Sequence, residues 1–566
     1  MRSRQSKGAK TKSRNGAGRT WHVSPKELAG IPQRVQFRTI GEAASRVAAG
    51  DTVVIHGGTY REHVVVDASG TARKPIRFEA APGERVVVTG ADEITNWERV
   101  EPDRHIYRTP WPHVFTWRAS LTHPGDDYHL LIGRSEQVIT DEYLLRQVLS
   151  RDQMSPGTFY VDLDAKQLYA WGYSNEPFGR KVRVEASTRN RIWDSMGDHI
   201  HLRGLRFRYA ANHAQEGAVQ LMGDYGVAED CIFERTNACG ASFRAEHIVA
   251  RRCVFRDNGQ LGFGGGRPHY LLITECLVRN NNTKKHYRHW EAGGNKIALA
   301  RGVVFEKSVF VDNRGSGIWF DIGNEDCVVR HCLIADNEEA GIFYEISYGL
   351  HAHDNVIIGN GFTGTPEAGG LLCGIAVANS PGCVIERNLI VGNHSGINYR
   401  ENPRETPLIE DDADRAVWSH DEDIHSNLLA YNEVAQVWGW FQIDDQRHLP
   451  RTMQDASDIE ASKDERQPTG LALEDLKLGH HDNLFYAAPG QGLFDWGVRP
   501  RKTLQYATLD EVREELDLES GSEAVEPGFA DITIRDFRVP ADSPLLKNGC
   551  YPEGDVPGVR LGIISD

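Results

Sequence analysis

Cys231-Ile232-Phe233, Cys253-Val254-Phe255, Cys276-Leu277-Val278, Ser308-Val309-Phe310, Cys332-Leu333-Ile334, Asn355-Val356-Ile357 and Asn388-Leu389-Ile390 are one short apolar segment written seven times. Successive copies begin 22, 23, 32, 24, 23 and 33 residues apart, so the short gaps set a period and the long ones carry an inserted loop. Larger inserts precede Asn427-Leu428-Leu429 and Asn483-Leu484-Phe485, and an earlier copy stands at Leu205-Arg206-Phe207. Between copies lies a second segment opened by glycine, as in Gly317-Ile318-Trp319-Phe320, Gly341-Ile342-Phe343-Tyr344 and Gly374-Ile375-Ala376-Val377. Asp312-Asn313, Asp336-Asn337, Gly359-Asn360 and Gly392-Asn393 fill the corners. Two or three short strands per turn, with no helical period, specify a coil of parallel strands. One coil cannot bury its own apolar face, whereas stacked coils share a continuous core. The expected fold is therefore all-β, a right-handed parallel β-helix. A leucine-rich solenoid has a similar period but needs a Leu-x-x-Leu-x-Leu pattern, which is absent.

Outward from the repeat, residues 1–33 read as a disordered basic tail, and 34–119 as an N-terminal cap with the first coils. Thr39-Ile40-Gly41-Glu42 is a capping box opening a short helix to Ala49, suited to cover an open solenoid end. Residues 120–190 break the period and are expected to insert strands and a helix. The core then runs over 191–500, with polar surface loops at 404–424 and 450–475. A helix at 508–518 and a terminal tie-down at 525–566 make up the segment 501–566.

Length alone suggests three or four domains at about 150 residues each, which the repeat merges into one solenoid. No run of 18 apolar residues occurs, so a membrane-spanning helix is excluded. The chain has 64 Lys+Arg against 80 Asp+Glu, a net charge of −16. Arg2, Arg4, Lys7, Lys10, Lys12, Arg14 and Arg19 sit in an acid-free start, which leaves the remainder at −23 (−16 less these seven cations). So acidic a body is a poor partner for nucleic acid, and the basic block reads as a solvated tail. The tail has no apolar secretory core, so a cytoplasmic location is expected. Cys231, Cys253, Cys276 and Cys332 share one repeat position and should form a reduced packing column; no zinc-ligand spacing occurs.

Parallel coils put equivalent residues in columns. Trp290-Glu291-Ala292-Gly293-Gly294-Asn295-Lys296, Gly317-Ile318-Trp319-Phe320-Asp321-Ile322-Gly323 and Gly341-Ile342-Phe343-Tyr344-Glu345-Ile346-Ser347 lie on three successive coils. Aligning the strand starts places Lys296, Asp321 and Glu345 nearly above one another. Carboxyl groups one coil apart should lie about 5 Å from each other. That separation suits a retaining glycosidase, whereas inverting enzymes need about 6.5–9.5 Å. Lys296 would keep Asp321 ionised as nucleophile, leaving Glu345 as acid/base. Trp290, Trp319 and Tyr344 are candidates to stack on sugar faces, Asn295 belongs to the same substrate-binding set, and His289 is placed at the cleft.

These motifs, together with Gly50-Asp51-Thr52-Val53-Val54-Ile55-His56-Gly57-Gly58-Thr59-Tyr60-Arg61-Glu62, resemble bacterial β-helix carbohydrate-active enzymes, and glycoside hydrolase family 120 (β-xylosidase-like) most of all. The resemblance covers roughly residues 37–400 and 525–545. It implies an Asp nucleophile at Asp321, a Glu acid/base one coil later at Glu345, and an upstream sugar-contacting Glu at Glu291.

A second resemblance, to polysaccharide lyases of family 6, rests on a Glu five residues before a Lys, here Glu291 and Lys296. It implies a lyase or epimerase on uronic-acid glycans, with Lys296 abstracting the proton and Glu291 helping to bind calcium. The next coil carries Asp321 where those enzymes carry Arg, and an anion there opposes enolate stabilisation. A non-catalytic carbohydrate-binding solenoid is the third reading. The expected partner is a carbohydrate, with no cofactor. Calcium at Glu410, Asp411, Asp412 and Asp414 lacks the EF-hand spacing, so a solvated loop is expected there.

Overall fold

The structure is a computed structural model that describes residues 18–101, 104–115, 131, 133–179, 181–362, 370–401, 404–440, 476–497 and 504–564. The repeated segment forms a column of three-residue strands paired in parallel, with Ile232 opposite Val254, Val254 opposite Leu277, Leu277 opposite Val309, and on through Leu333, Val356, Leu389, Leu428 and Leu484. Three long sheets run the length of the molecule, of 14, 13 and 13 strands. Strand alternation sends every second residue inward. Phe207, Phe233 and Phe255 therefore stack coil on coil at 5.4 and 4.8 Å in one continuous core. Each such ring contributes roughly 1.5–3 kcal/mol on burial.

Asparagine ladders hold the corners. Asn258, Asn281, Asn313, Asn337, Asn360, Asn393 and Asn432 are linked side chain to side chain, each Nδ2 donating to the next Oδ1 at 2.9–3.1 Å. A second ladder joins Asn355, Asn388, Asn427 and Asn483. The amides also satisfy corner N–H and C=O groups that a buried turn would leave unpaired. The cysteine column is the same position in earlier coils, where the Cys276 N–H donates to Ser308 and the Cys332 N–H to Asn355. All nine cysteines are free and buried.

Several boundaries differ from expectation. Thr20–Val23 is a strand paired with Thr52–Ile55, so ordered structure begins inside the stretch expected to be tail; residues 1–17 lie outside the described set. The capping helix keeps its capping box but spans only Ile40–Ala44. The first coils end at Val86–Thr89, and an antiparallel insertion starts at Ala91–Glu93 rather than near residue 120. It runs to Val184–Ser187, after which Trp193–Ser195 resumes the coil against Val64–Val66. The stretch 404–424 is no plain loop: Arg404–Leu408 and Asp411–Val417 form an antiparallel hairpin, which outward polar alternation disguises as acid-rich loop. The stretch 450–475 lies outside the described residues. At the far end the helix Leu509–Leu516 is capped by Thr508 and Glu511, and Phe537, Leu545, Cys550 and Val556 pack on an outer sheet face.

Candidate functional site

The site lies on the outer face of one 13-stranded sheet, on strands Leu261–Gly266, Gly293–Ala298, Ile318–Asp321, Ile342–Glu345 and Ile375–Ala378. Glycines open these strands because the backbones pass close: a Cβ on Gly341 would sit 2.6 Å from the Gly374 carbonyl oxygen. Alternation then turns Ile318 and Phe320 inward and Trp319 and Asp321 outward. Asp321 stands directly opposite Glu345 in register.

Lys296 is not opposite Asp321. The register pairs Ala298 with Asp321, which places Lys296 two residues back, level with Trp319. Its long side chain bridges the offset: Nζ lies 2.7 Å from Asp321 Oδ2, 3.5 Å from Glu291 Oε1 and 4.3 Å from the centroid of the Trp319 ring. Glu345 is held at its two oxygens, by Trp319 Nε1 at 3.2 Å and by Arg404 at 2.9 Å. Asp321 and Glu345 are 6% and 7% exposed, and Asp321 Oδ1 is buried with no hydrogen-bond partner. Burial, then the Glu345 charge, push the Asp321 carboxyl up to about 6, against the pull of Lys296 and Arg404. Burial works to lower the Lys296 ammonium, but Asp321, Glu291 and Glu345 outweigh it and raise its pKa.

The backbone is unusual just beyond each acid. Ile322 and Ile346 follow Asp321 and Glu345 and take φ of 60° and 39°. They are the only β-branched positions in that left-handed region among the described residues. Such strain clusters at functional sites.

Of the other residues singled out from sequence, Glu291 reaches the site through Lys296. His289 lines the adjoining loop but is tied down, its Nε2 2.9 Å from Glu339 and its Nδ1 3.3 Å from the Tyr287 hydroxyl. Trp290 is half-buried in the turn before Glu291. Two assignments fail on strand parity. Tyr344 points inward, fully buried, with its hydroxyl donating to the Tyr348 carbonyl, so it has no sugar face to offer. Asn295 is also buried, its Nδ2 donating to the Trp319 carbonyl at 3.3 Å. Trp319 faces outward, but Lys296 and Phe343, whose ring centroid is 5.2 Å away, cover its ring. Its contribution is the indole N–H on Glu345.

Arg404 escaped the sequence reading because it lies on the inserted hairpin, outside the repeat. A lone Arg in a polar stretch carries no periodic signal. Two acids of that hairpin are paired, Asp411 with Arg415 inside it and Glu410 with Arg301 on the solenoid. No cluster of three or more metal-ligating side chains occurs among the described residues. No described helix is long and apolar enough to cross a membrane.

Residues 217–390 match the family model of the right handed beta helix region. A 97-residue stretch is 39% identical to an uncharacterized protein, YwoF, of Bacillus subtilis (strain 168), covering 16% of this chain and 20% of that protein. The match thus spans about a fifth of that curated relative. Among solved structures, XylC in complex with xylose superposes with a TM-score of 0.61 at 16% identity, covering 90% of this chain and 87% of that one. A structure described as a glycoside hydrolase gives a TM-score of 0.50 at 13% identity over 68% of this chain and 95% of that one. Stacked parallel sheets, the matching family model and these neighbours together make the chain an all-β, right-handed parallel β-helix.

Proposed function

We propose that the protein is a carbohydrate-active enzyme, a retaining glycoside hydrolase of β-xylosidase type, in which Asp321 is the nucleophile and Glu345 the acid/base. The observation that carries the reading is the in-register pair of outward carboxylates on adjacent coils, with a lysine ammonium 2.7 Å from one of them. Their strands are one spacing apart, about 4.8 Å, which supports a carboxyl separation suited to double displacement. Asp321 attacks the anomeric carbon as the glycosidic bond breaks, and Glu345 gives its proton to the departing oxygen. Glu345, now a carboxylate, takes a proton from water, which displaces the sugar from Asp321. Lys296 favours negative charge on Asp321, and Glu291 holds Lys296 in place. The xylose-bound XylC neighbour makes aryl β-xylosides the first substrates to try.

Elimination on a uronic-acid glycan needs Lys296 as a neutral base. Three carboxylates surround that ammonium and stabilise its charged form, which weakens it for that task. A panel of aryl glycosides and polyuronates separates the two: released phenol supports hydrolysis, and an unsaturated, near-ultraviolet-absorbing product supports a lyase.

A further inference from the structure

The face carrying Asp321 is open on one side and closed on the other. Beyond Glu345 its register partner Ala378 is 2% exposed. Here the hairpin folds over the sheet: Arg404 reaches Glu345, and the Ile409 N–H donates to Glu325 Oε1 at 2.7 Å. In the opposite direction the column runs through Ala298 to Gly266 and, one residue past the strand Cys239–Phe243, to Arg244. Gly266 and Arg244 are exposed. A Cβ on Gly266 would meet nothing within 4 Å, and its backbone is not in the left-handed region, so neither packing nor conformation demands glycine there. Its effect is a floor free of side chains beside the catalytic pair. Arg244 closes that floor three strand spacings from Asp321, about 14 Å away. Its guanidinium has no hydrogen bond or ion pair with any described residue.

We propose that this floor is a subsite for a sugar bearing a carboxylate, held by Arg244, so that the substrate is a mostly neutral oligosaccharide with a single uronic acid one or two residues from the cleaved bond. The direction of the substrate rests on the glycosidase reading of Asp321 and Glu345. An unpaired guanidinium is the side chain best fitted to bind a carboxylate in two-point fashion. One isolated acid fits where a polyuronate does not, because a chain of net charge −16 repels a polyanion.

The test is calorimetric binding of two probes, a xylo-oligosaccharide carrying one glucuronic acid and the same oligosaccharide without it, to Asp321→Asn protein. Glu345→Gln protein serves if the first variant does not fold. The acidic probe should bind about tenfold tighter at low ionic strength, consistent with one charge-assisted contact. Arg244→Ala should abolish that preference, and Arg77→Ala, on a different sheet, should preserve it. Equal binding of the two probes, binding of neither, or a preference that survives Arg244→Ala overturns the proposal. Because binding is read in inactive protein, failure of the hydrolase reading shows separately, as wild-type protein that binds the acidic probe without cleaving it.

Discussion

Among the described residues, two of the buried clusters of ionisable groups in this solenoid differ in how fully their polar atoms are satisfied. Near the C-terminal end the Tyr399 hydroxyl lies 2.8 Å from His480 Nε2, and His480 Nδ1 lies 3.0 Å from Glu519 Oε1. The other Glu519 oxygen accepts from Asn483 at 3.1 Å and Ser522 at 2.6 Å, and both His480 and Glu519 side chains are 0% exposed. This arrangement has the look of a proton relay, yet it is saturated and sealed inside the coil, where it pins the closing segment to the last turns. The Asp321–Glu345–Lys296 cluster uses similar groups on the outer face. There one carboxylate oxygen has no partner, and the sheet beside it opens to solvent. A saturated buried network specifies structure. An unsaturated one beside open space is poised to bind. On one strand a single step separates the two fates, since Tyr344 points in and Glu345 points out.

The comparison breaks most directly at the outer cluster. Asp321→Asn and Glu345→Gln should each lower turnover by at least about a hundredfold while thermal unfolding stays cooperative; wild-type-like turnover by either contradicts the assignment. At the inner cluster the effect should fall on stability. Glu519→Ala strips His480, Asn483 and Ser522 of their shared acceptor and should cost about 2–4 kcal/mol in denaturant unfolding, with rates kept below the transition. If unfolding is unchanged, the cluster does not pin the end. A smaller loss, about 1–3 kcal/mol, is expected for Asn337→Ala, which leaves the Phe310 carbonyl and the Asn313 amide unpaired in the ladder.

The smallest effect sharpens the outer cluster. Asp321 and Glu345 must share one proton for the first step. Burial and the Glu345 charge hold the Asp321 carboxyl up to about 6, so in the free protein that proton rests on Asp321, must pass to Glu345 as substrate binds, and is lost from the pair as pH rises through this value. Activity should therefore decline above about pH 6. Arg404→Ala removes a cation that favours the doubly ionised pair, so the decline should move to higher pH by less than about one unit. A shift to lower pH, or none, contradicts this role for Arg404.

The fold was legible because a 23-residue step separates Cys253 from Cys276 and Cys332 from Asn355, and stacked coils explain that recurrence. The acids were legible because Asp321 and Glu345 interrupt matching apolar strands. Register was less so. Counting from strand starts misplaces Lys296 by two residues, since its strand enters through a long loop. The inward parity of Asn295 and Tyr344 follows from alternation, because each adjoins an outward residue, Lys296 or Glu345. The N-terminal strand Thr20–Val23 was masked by its basic neighbours. Arg404 lay beyond sequence reasoning, because a hairpin inserted between coils obeys none of the spacing that organises the rest.

The central claim is that Asp321 and Glu345 act together by double displacement. It is tested most directly by NMR of the first-formed product from a cleaved aryl glycoside. Retained anomeric configuration is the expected result. Inversion, or an unsaturated sugar, would contradict it.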